Sequence, residues 1–119
     1  MSAAAPVRRV RSKYGAVKTQ VSGITFDSKR EAARYIELLA LLQAGDICDL
    51  RLQPSFEICP AIVLDGKKQR ALVYRADFAY EDHLGNQVYE DVKGHRTREY
   101  VLKRRLVKHL YGIEVREVR

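Results

Sequence analysis

Arg75-Ala76-Asp77-Phe78-Ala79-Tyr80 and Val88-Tyr89-Glu90-Asp91-Val92-Lys93-Gly94 are the two stretches on which the reading of the fold turns. Both read as β-strands, with Leu84-Gly85-Asn86 as a turn between them. Strand side chains alternate faces, so Asp91 and Lys93 share a face with Tyr89, while Val88, Glu90 and Val92 take the other. In the longer run from Arg70 to Glu81, an apolar face of Leu72, Tyr74, Ala76, Phe78 and Tyr80 belongs in a core. Asp77 lies opposite, with Val73, Arg75 and Ala79, where Asp91 and Lys93 of the neighbouring strand can join it. Strands disfavour Asp, so its place in mid-strand asks for a reason. Two carboxylates and one ammonium on one patch suit metal-assisted phosphodiester cleavage. Asp77 and Asp91 would ligate Mg²⁺, with Mn²⁺ able to substitute, and Lys93 would orient the attacking water or stabilise the transition state.

Outward from this patch the elements alternate. Ser28-Lys29-Arg30-Glu31 has the capping-box pattern, and Ala32, Tyr35, Ile36, Leu39 and Leu42 follow at helical spacing up to Gly45. This predicts a helix from about Ser28 to Ala44. Strands are expected from Ile47 to Gln53, stopped by Pro54, and from Phe56 to Leu64, with Asp65-Gly66 as a hairpin turn. The long strand from Arg70 to Glu81 and the strand from Gln87 to Lys93 follow. A second helix is expected from Thr97 to Tyr111, with Val101, Leu102, Leu106, Leu110 and Tyr100 inward and Gly112 at its end. A last strand runs from Ile113 to Val118. Tyr14 to Phe26 reads as a short extended or hairpin element around Ser22-Gly23. The expected class is α/β, a mixed central sheet flanked by helices in the order α-β-β-β-β-α-β. Residues 1–13 read as a flexible basic arm and 14–119 as one domain.

The pattern "RADFAY…VYEDVKGH" resembles the PD-(D/E)XK nuclease superfamily. Asp77 matches its first motif position, Asp91 and Lys93 match (D/E)-X-K, and Glu31 matches the acidic residue that many members carry on the preceding helix. Ala76 stands where the superfamily's naming proline would be. The longer string from Lys13-Tyr14-Gly15 through "GITFDSKREAARY", "LQPSFEI", "ADFAYED" and "DVKGH" to "YGIEV" is similar to a small phage- and prophage-borne branch regarded as resolvase- or endonuclease-like. The resemblance implies a restriction-endonuclease-like fold and Mg²⁺-dependent DNA cleavage, with Glu31 as a third metal ligand. It also points to a branched substrate such as a Holliday junction, to recombination, and to a phage- or prophage-encoded protein in a bacterial cytoplasm. Symmetric incision of a junction implies a homodimer.

Charge supports a polyanionic partner. The net charge is +7, and no acidic residue precedes Asp27, while Arg8, Arg9, Arg11, Lys13 and Lys18 all lie before it. A second basic zone, Arg96, Arg98, Lys103, Arg104, Arg105 and Lys108, is opposed only by Glu99. These zones flank the candidate site, and a polyanion held by them would be processed between them. Arg8, Arg9, Arg11, Lys13, Lys18, Arg96, Arg98, Lys103, Arg104 and Lys108 are the candidate phosphate contacts. Tyr14 reads as a base-stacking ring or a hydrophobic anchor, and His95, next to Lys93-Gly94, as a substrate contact.

Each assignment has a bland rival. Asp91 and Lys93 taken alone are a same-face ion pair of little weight. The capping box explains Glu31 without catalysis. Glu90 competes with Asp91, and a β-bulge would reverse the choice between them. Gln53, at a strand end, reads either as a ligand for phosphate or water or as loop filler. Cys48 and Cys59 fit no recurrent metal spacing and read as reduced thiols. No apolar run approaches the roughly 20 residues of a membrane span. No serine or cysteine stands beside a base as a covalent nucleophile. Two alternatives remain open: a non-catalytic nucleic-acid-binding protein with this fold, and a nicking or sequence-specific endonuclease.

Overall fold

The computed structural model describes residues 18–119. The expected arm and Tyr14 lie outside the described residues. The chain divides into two compact units, the first ending at Asp46 and the second spanning Ile47–Arg119.

In the first unit, β1 (Thr19–Val21) and β2 (Ile24–Phe26) form an antiparallel hairpin. Ser22 and Gly23 turn it with φ of 52° and 81°. Two successive positive φ values are what a tight hairpin turn needs to match strand twist. Helix α1 (Lys29–Gln43) follows as expected. The Ser28 hydroxyl accepts the Glu31 N–H at 3.1 Å and so satisfies one of the donors left open at a helix start. At the other end Gly45 N–H donates to the Leu42 carbonyl and Asp46 N–H to that of Leu41, the two bonds of a Schellman motif. Tyr35 of α1 packs its ring 5.0 Å from that of Phe26.

The second unit contains β3 (Ile47–Leu52), β4 (Ser55–Cys59), β5 (Ile62–Leu64), β6 (Lys67–Gln69), β7 (Leu72–Arg75), β8 (Phe78–Asp82), β9 (Gln87–Val92), α2 (Arg98–Tyr111) and β10 (Arg116–Val118). Its four-stranded sheet has the order β10-β9-β8-β3. β10 runs parallel to β9 and the other pairs are antiparallel, so the sheet is mixed. The parallel step is made through α2, because parallel neighbours need a long crossover. The chain is thus α/β with a mixed sheet and two helices.

Four expectations are corrected. The strand expected from Phe56 to Leu64 is two strands, divided at Pro60-Ala61, and the one from Arg70 to Glu81 divides at Ala76-Asp77. At the second division the partner strand supplies the reason. Gln53 is left-handed, with φ of 52°, and Pro54 has no N–H to pair, so the ladder cannot continue regularly past them. Two bonds still bridge the gap, Gln53 N–H to the Asp77 carbonyl at 2.9 Å and Ala76 N–H to the Pro54 carbonyl at 3.0 Å.

The break also changes faces. Tyr74 and Ala76 join a core with Tyr100, Val107 and Val115, against which Tyr89 packs. Phe78 instead pairs across with Glu90, on the face opposite Tyr89. The expected single apolar face is therefore two faces meeting at Asp77. Finally, α2 turns Tyr100 and Val107 inward and leaves Val101, Leu102 and Leu110 exposed. Arg104 lies on the inward side, where its guanidinium donates to the Val115 carbonyl at 2.8 and 3.2 Å. A cation with a buried acceptor is tolerated where the apolar pattern alone would place leucine.

Candidate active site

Asp77 sits where the sheet forks. On one side β7 leaves with β4, and on the other β9 continues beside β10, with Lys93 N–H donating to the Val118 carbonyl at 2.9 Å. At the fork Asp77 N–H still bonds the Glu90 carbonyl at 3.0 Å. The next donor along β9, the Val92 N–H, is accepted by Asp77 Oδ2 at 2.7 Å. A side-chain carboxylate thus stands in for the backbone carbonyl that the departing strand takes away. This answers why an Asp occupies a strand here, and it places a negative charge at the mouth of the fork.

Asp91 lies on β9 one residue beyond the Glu90–Phe78 pair, facing the fork. It is 2 % exposed. The Tyr74 hydroxyl donates to its Oδ2, and Lys93 Nζ lies 3.2 Å from its Oδ1. Lys93 also stands 4.1 Å above the centre of the Tyr100 ring, a cation–π contact that fixes the long side chain. Burial, then the bond to Asp91, raises the Tyr74 pKa far above the usual phenol range, and the charges of Asp91 and Asp77 add to the rise. Tyr74 is therefore a permanent donor, and it feels both carboxylates at once.

Glu90 follows the alternation, since the β8–β9 register runs without a bulge. It is fully buried on the other face and accepts the Tyr80 hydroxyl. Glu31 occupies the first turn of α1 in the first unit and is buried. Gln53 is exposed, and its backbone runs beside Asp77 through the bond already described. Sequence patterns thus locate Asp77, Asp91 and Lys93, which the second unit brings together.

Three contributors escape the sequence reading. Tyr74 counts there as a core strand residue, and Tyr100 as an inward residue of the second helix. Glu117, on β10 directly beside Asp91, draws no notice in a short terminal strand. Arg96 holds Glu117 with two bonds, the Tyr100 hydroxyl donates to it at 2.8 Å, and Arg104 stands 3.8 Å away. The Arg96 bond, aided by Tyr100 and the arginine charges, lowers the Glu117 pKa to about 2. Tyr100 thereby links Lys93 to an ionised carboxylate and is itself held as a neutral phenol by burial and by Glu117. A fold-independent signal was present in the sequence: Tyr100 and Arg104 are spaced to share one helical side.

The basic residues divide accordingly. Arg96 and Arg104 turn toward Glu117 and hold β10 to α2. Lys103 and Lys108 reach Glu99 and Glu114 at 3.7 and 3.4 Å, surface pairs that yield readily to another anion. Lys18, His95, Arg98 and Arg105 are exposed. Arg96, Arg104, Arg105 and Lys108 line a cavity of about 220 Å³ together with Tyr100 and Glu117. Arg8, Arg9, Arg11 and Lys13 lie outside the described residues.

The donor set can be tested against a divalent cation. Among the described residues no three His, Cys, Asp or Glu side chains gather as a complete metal cage. Mg²⁺ does not need one, since it binds through one or two carboxylates and keeps waters and substrate oxygens as its other ligands. A carboxylate oxygen carries two lone-pair sites, so the Tyr74 and Lys93 contacts leave acceptor capacity on Asp91. Cys48 and Cys59 are free thiols, and Cys48 donates to Glu81 at 3.2 Å, away from this set. Among the described residues no helix is long and apolar enough to cross a membrane.

No match is found among curated proteins or among solved structures. One family model, described as "Protein of unknown function (DUF1064)", matches residues 11–118, and the chain belongs to that family.

Proposed function

We propose that this protein is a Mg²⁺-dependent DNA endonuclease of restriction-endonuclease-like fold. The observation that carries the reading is the fork, where Asp77, Asp91 and Lys93 meet around a broken strand. Asp77 and Asp91 would hold Mg²⁺, which when bound lowers the pKa of a water and offsets charge on the scissile phosphate. The chain's own groups do the positioning. Tyr74 holds the Asp91 carboxylate from the core side. Asp91 and the Tyr100 ring hold the Lys93 ammonium, which orients the attacking water and stabilises the charge that develops on phosphate oxygens. Arg98, Arg105, Lys103 and Lys108 supply backbone phosphate contacts, with the N-terminal basic residues as further ones.

The preferred substrate in this reading is branched DNA, a Holliday junction or a related intermediate, cut by a homodimer. The setting that goes with it is the cytoplasm of a bacterial host carrying phage or prophage genes. The similarity to the resolvase-like branch of the PD-(D/E)XK superfamily supports substrate and setting, and the geometry of the fork supports the chemistry.

The test is cleavage of a labelled four-way junction, its matched duplex and a single strand, with Mg²⁺ or EDTA, by the protein and by Lys93→Ala. Junction cleavage that requires both Mg²⁺ and Lys93 is the expected result. Equal cleavage of all three substrates would keep the site and remove the structure preference. Tight binding of every substrate without cleavage, unchanged in Asp77→Ala, would replace the enzyme by a non-catalytic binding protein.

A further inference from the structure

The β5–β6 hairpin is unlike the rest of the second unit. Among the described residues neither strand packs against any other helix or strand. Ile62, Val63 and Leu64 are 46, 66 and 57 % exposed, and Lys67, Lys68 and Arg70 are exposed beside them. Asp65 and Gly66 form the turn with φ of 52° and 75°, so the hairpin is tightly closed. A two-stranded ribbon alone is marginal in water, and three aliphatic side chains left in solvent add to its cost.

The pattern of side chains says what the ribbon fits. In a ribbon that lies on a protein core, one face is apolar and the other polar. Here Val63 is directly opposite Lys68, Leu64 opposite Lys67, and Ile62 opposite Gln69. Residues opposite one another share a face, so each face carries both kinds of side chain. Apolar and cationic groups are separated by strand, not by face. One strand is wholly aliphatic and the other cationic, and Ala61, Ile62, Val63, Lys68, Gln69 and Arg70 line a concavity of about 540 Å³. Parallel lines of phosphate charge and exposed apolar base surface occur side by side in nucleic acid whose bases are unstacked. In a continuous duplex the base faces are hidden by stacking. Aliphatic wedges flanked by Lys or Arg are a recurrent means of entering an opened base step.

We infer that the β5–β6 hairpin is a wedge that engages unstacked bases at a branch point, its cationic strand following the adjoining phosphates. This rests on the nuclease reading and deepens it, because it assigns the preference for branched DNA to a structure separate from the fork. Charge complementarity argues for this occupant, since Lys67, Lys68 and Arg70 form an exposed cationic line that a phosphate backbone matches.

The test uses the full chain in EDTA, with binding to a four-way junction and to a matched duplex followed by fluorescence anisotropy. Two double variants are compared, Val63→Ser with Leu64→Ser, and Lys67→Ala with Lys68→Ala. A 2-aminopurine placed at the branch reports unstacking, and sedimentation reports self-association. The aliphatic variant is expected to lose about ten-fold in junction affinity and its 2-aminopurine rise, with duplex affinity unchanged. The cationic variant should weaken both substrates and lower the slope of log affinity against log salt by about 2. Junction binding like that of the unmodified protein in both variants would overturn the inference and leave the nuclease reading standing. Failure of the unmodified protein to bind any DNA would overturn both. Loss of a dimer in the aliphatic variant, with junction binding intact, would assign the hairpin to a second copy and overturn the wedge.

Discussion

Tyr74→Phe removes one hydroxyl and little else, and it probes the centre of the fork. That hydroxyl donates to Asp91 Oδ2 between residues that are 3 % and 2 % exposed. Water cannot easily replace it, so the variant leaves a buried carboxylate short of a partner. A bond to a charged group in such a place contributes about 1.5–3 kcal/mol. The unfolding entropy of a 119-residue chain is about 0.25 kcal/mol per kelvin, so the melting temperature should fall by about 6–12 °C. The same substitution made in Asp91→Asn should cost only the neutral value, about 0.5–1.5 kcal/mol. Thermal and urea unfolding of the four proteins completes a double-mutant cycle with a coupling near 1 kcal/mol or more. Because Tyr74 positions the carboxylate and does not reach substrate, the nuclease reading adds a kinetic signature: a higher Mg²⁺ requirement with cleavage retained at saturating metal. A melting shift below about 2 °C, or no coupling to Asp91, would refute the claim that this bond organises the fork.

Asp77→Asn keeps an oxygen for the Val92 N–H but removes the charge, so it should melt near the unmodified protein and lose at least about 10²-fold in cleavage rate. Asp77→Ala should in addition cost about 1–3 kcal/mol in urea unfolding, because the Val92 N–H loses its acceptor. Glu117 has a folded pKa lowered to about 2 from an ordinary 4.5, so its stabilisation is fully present above pH 4.5 and is lost as pH falls through about 2. Acid unfolding of Glu117→Gln should therefore show a shallower loss of stability across that window than the unmodified protein. Gly112 closes α2 with φ of 72°, so Gly112→Ala should lower stability by at least about 1 kcal/mol without altering cleavage per folded molecule.

Much of the architecture was legible because its causes are local. Ser28 and Thr97 cap the two helices through their own hydroxyls, within three residues of the donors they satisfy. Gly45 and Gly112 end those helices for conformational reasons that belong to glycine itself. Asp91 and Lys93 meet across two residues of one strand, which alternation alone dictates. The inward face of α2 was misread because leucines are the usual occupants of such a face, and only the position of the Val115 carbonyl makes Arg104 suitable there.

The amino-acid sequence by itself determined where helices begin and end, where the tight turns fall, and which acids share a strand face with Lys93. Those outcomes follow from interactions a few residues long, whose geometry any chain carrying these residues would share. Only the tertiary structure decided that the long strand breaks at Asp77, that its carboxylate replaces a backbone acceptor for Val92, and that Tyr74 and Glu117 converge on the Asp91–Lys93 pair. Each of these depends on which strand lies beside which. That choice is set by packing among residues distant in the chain, since Pro54 acts on Asp77 and Tyr100 on Glu117 only once the strands and α2 are assembled.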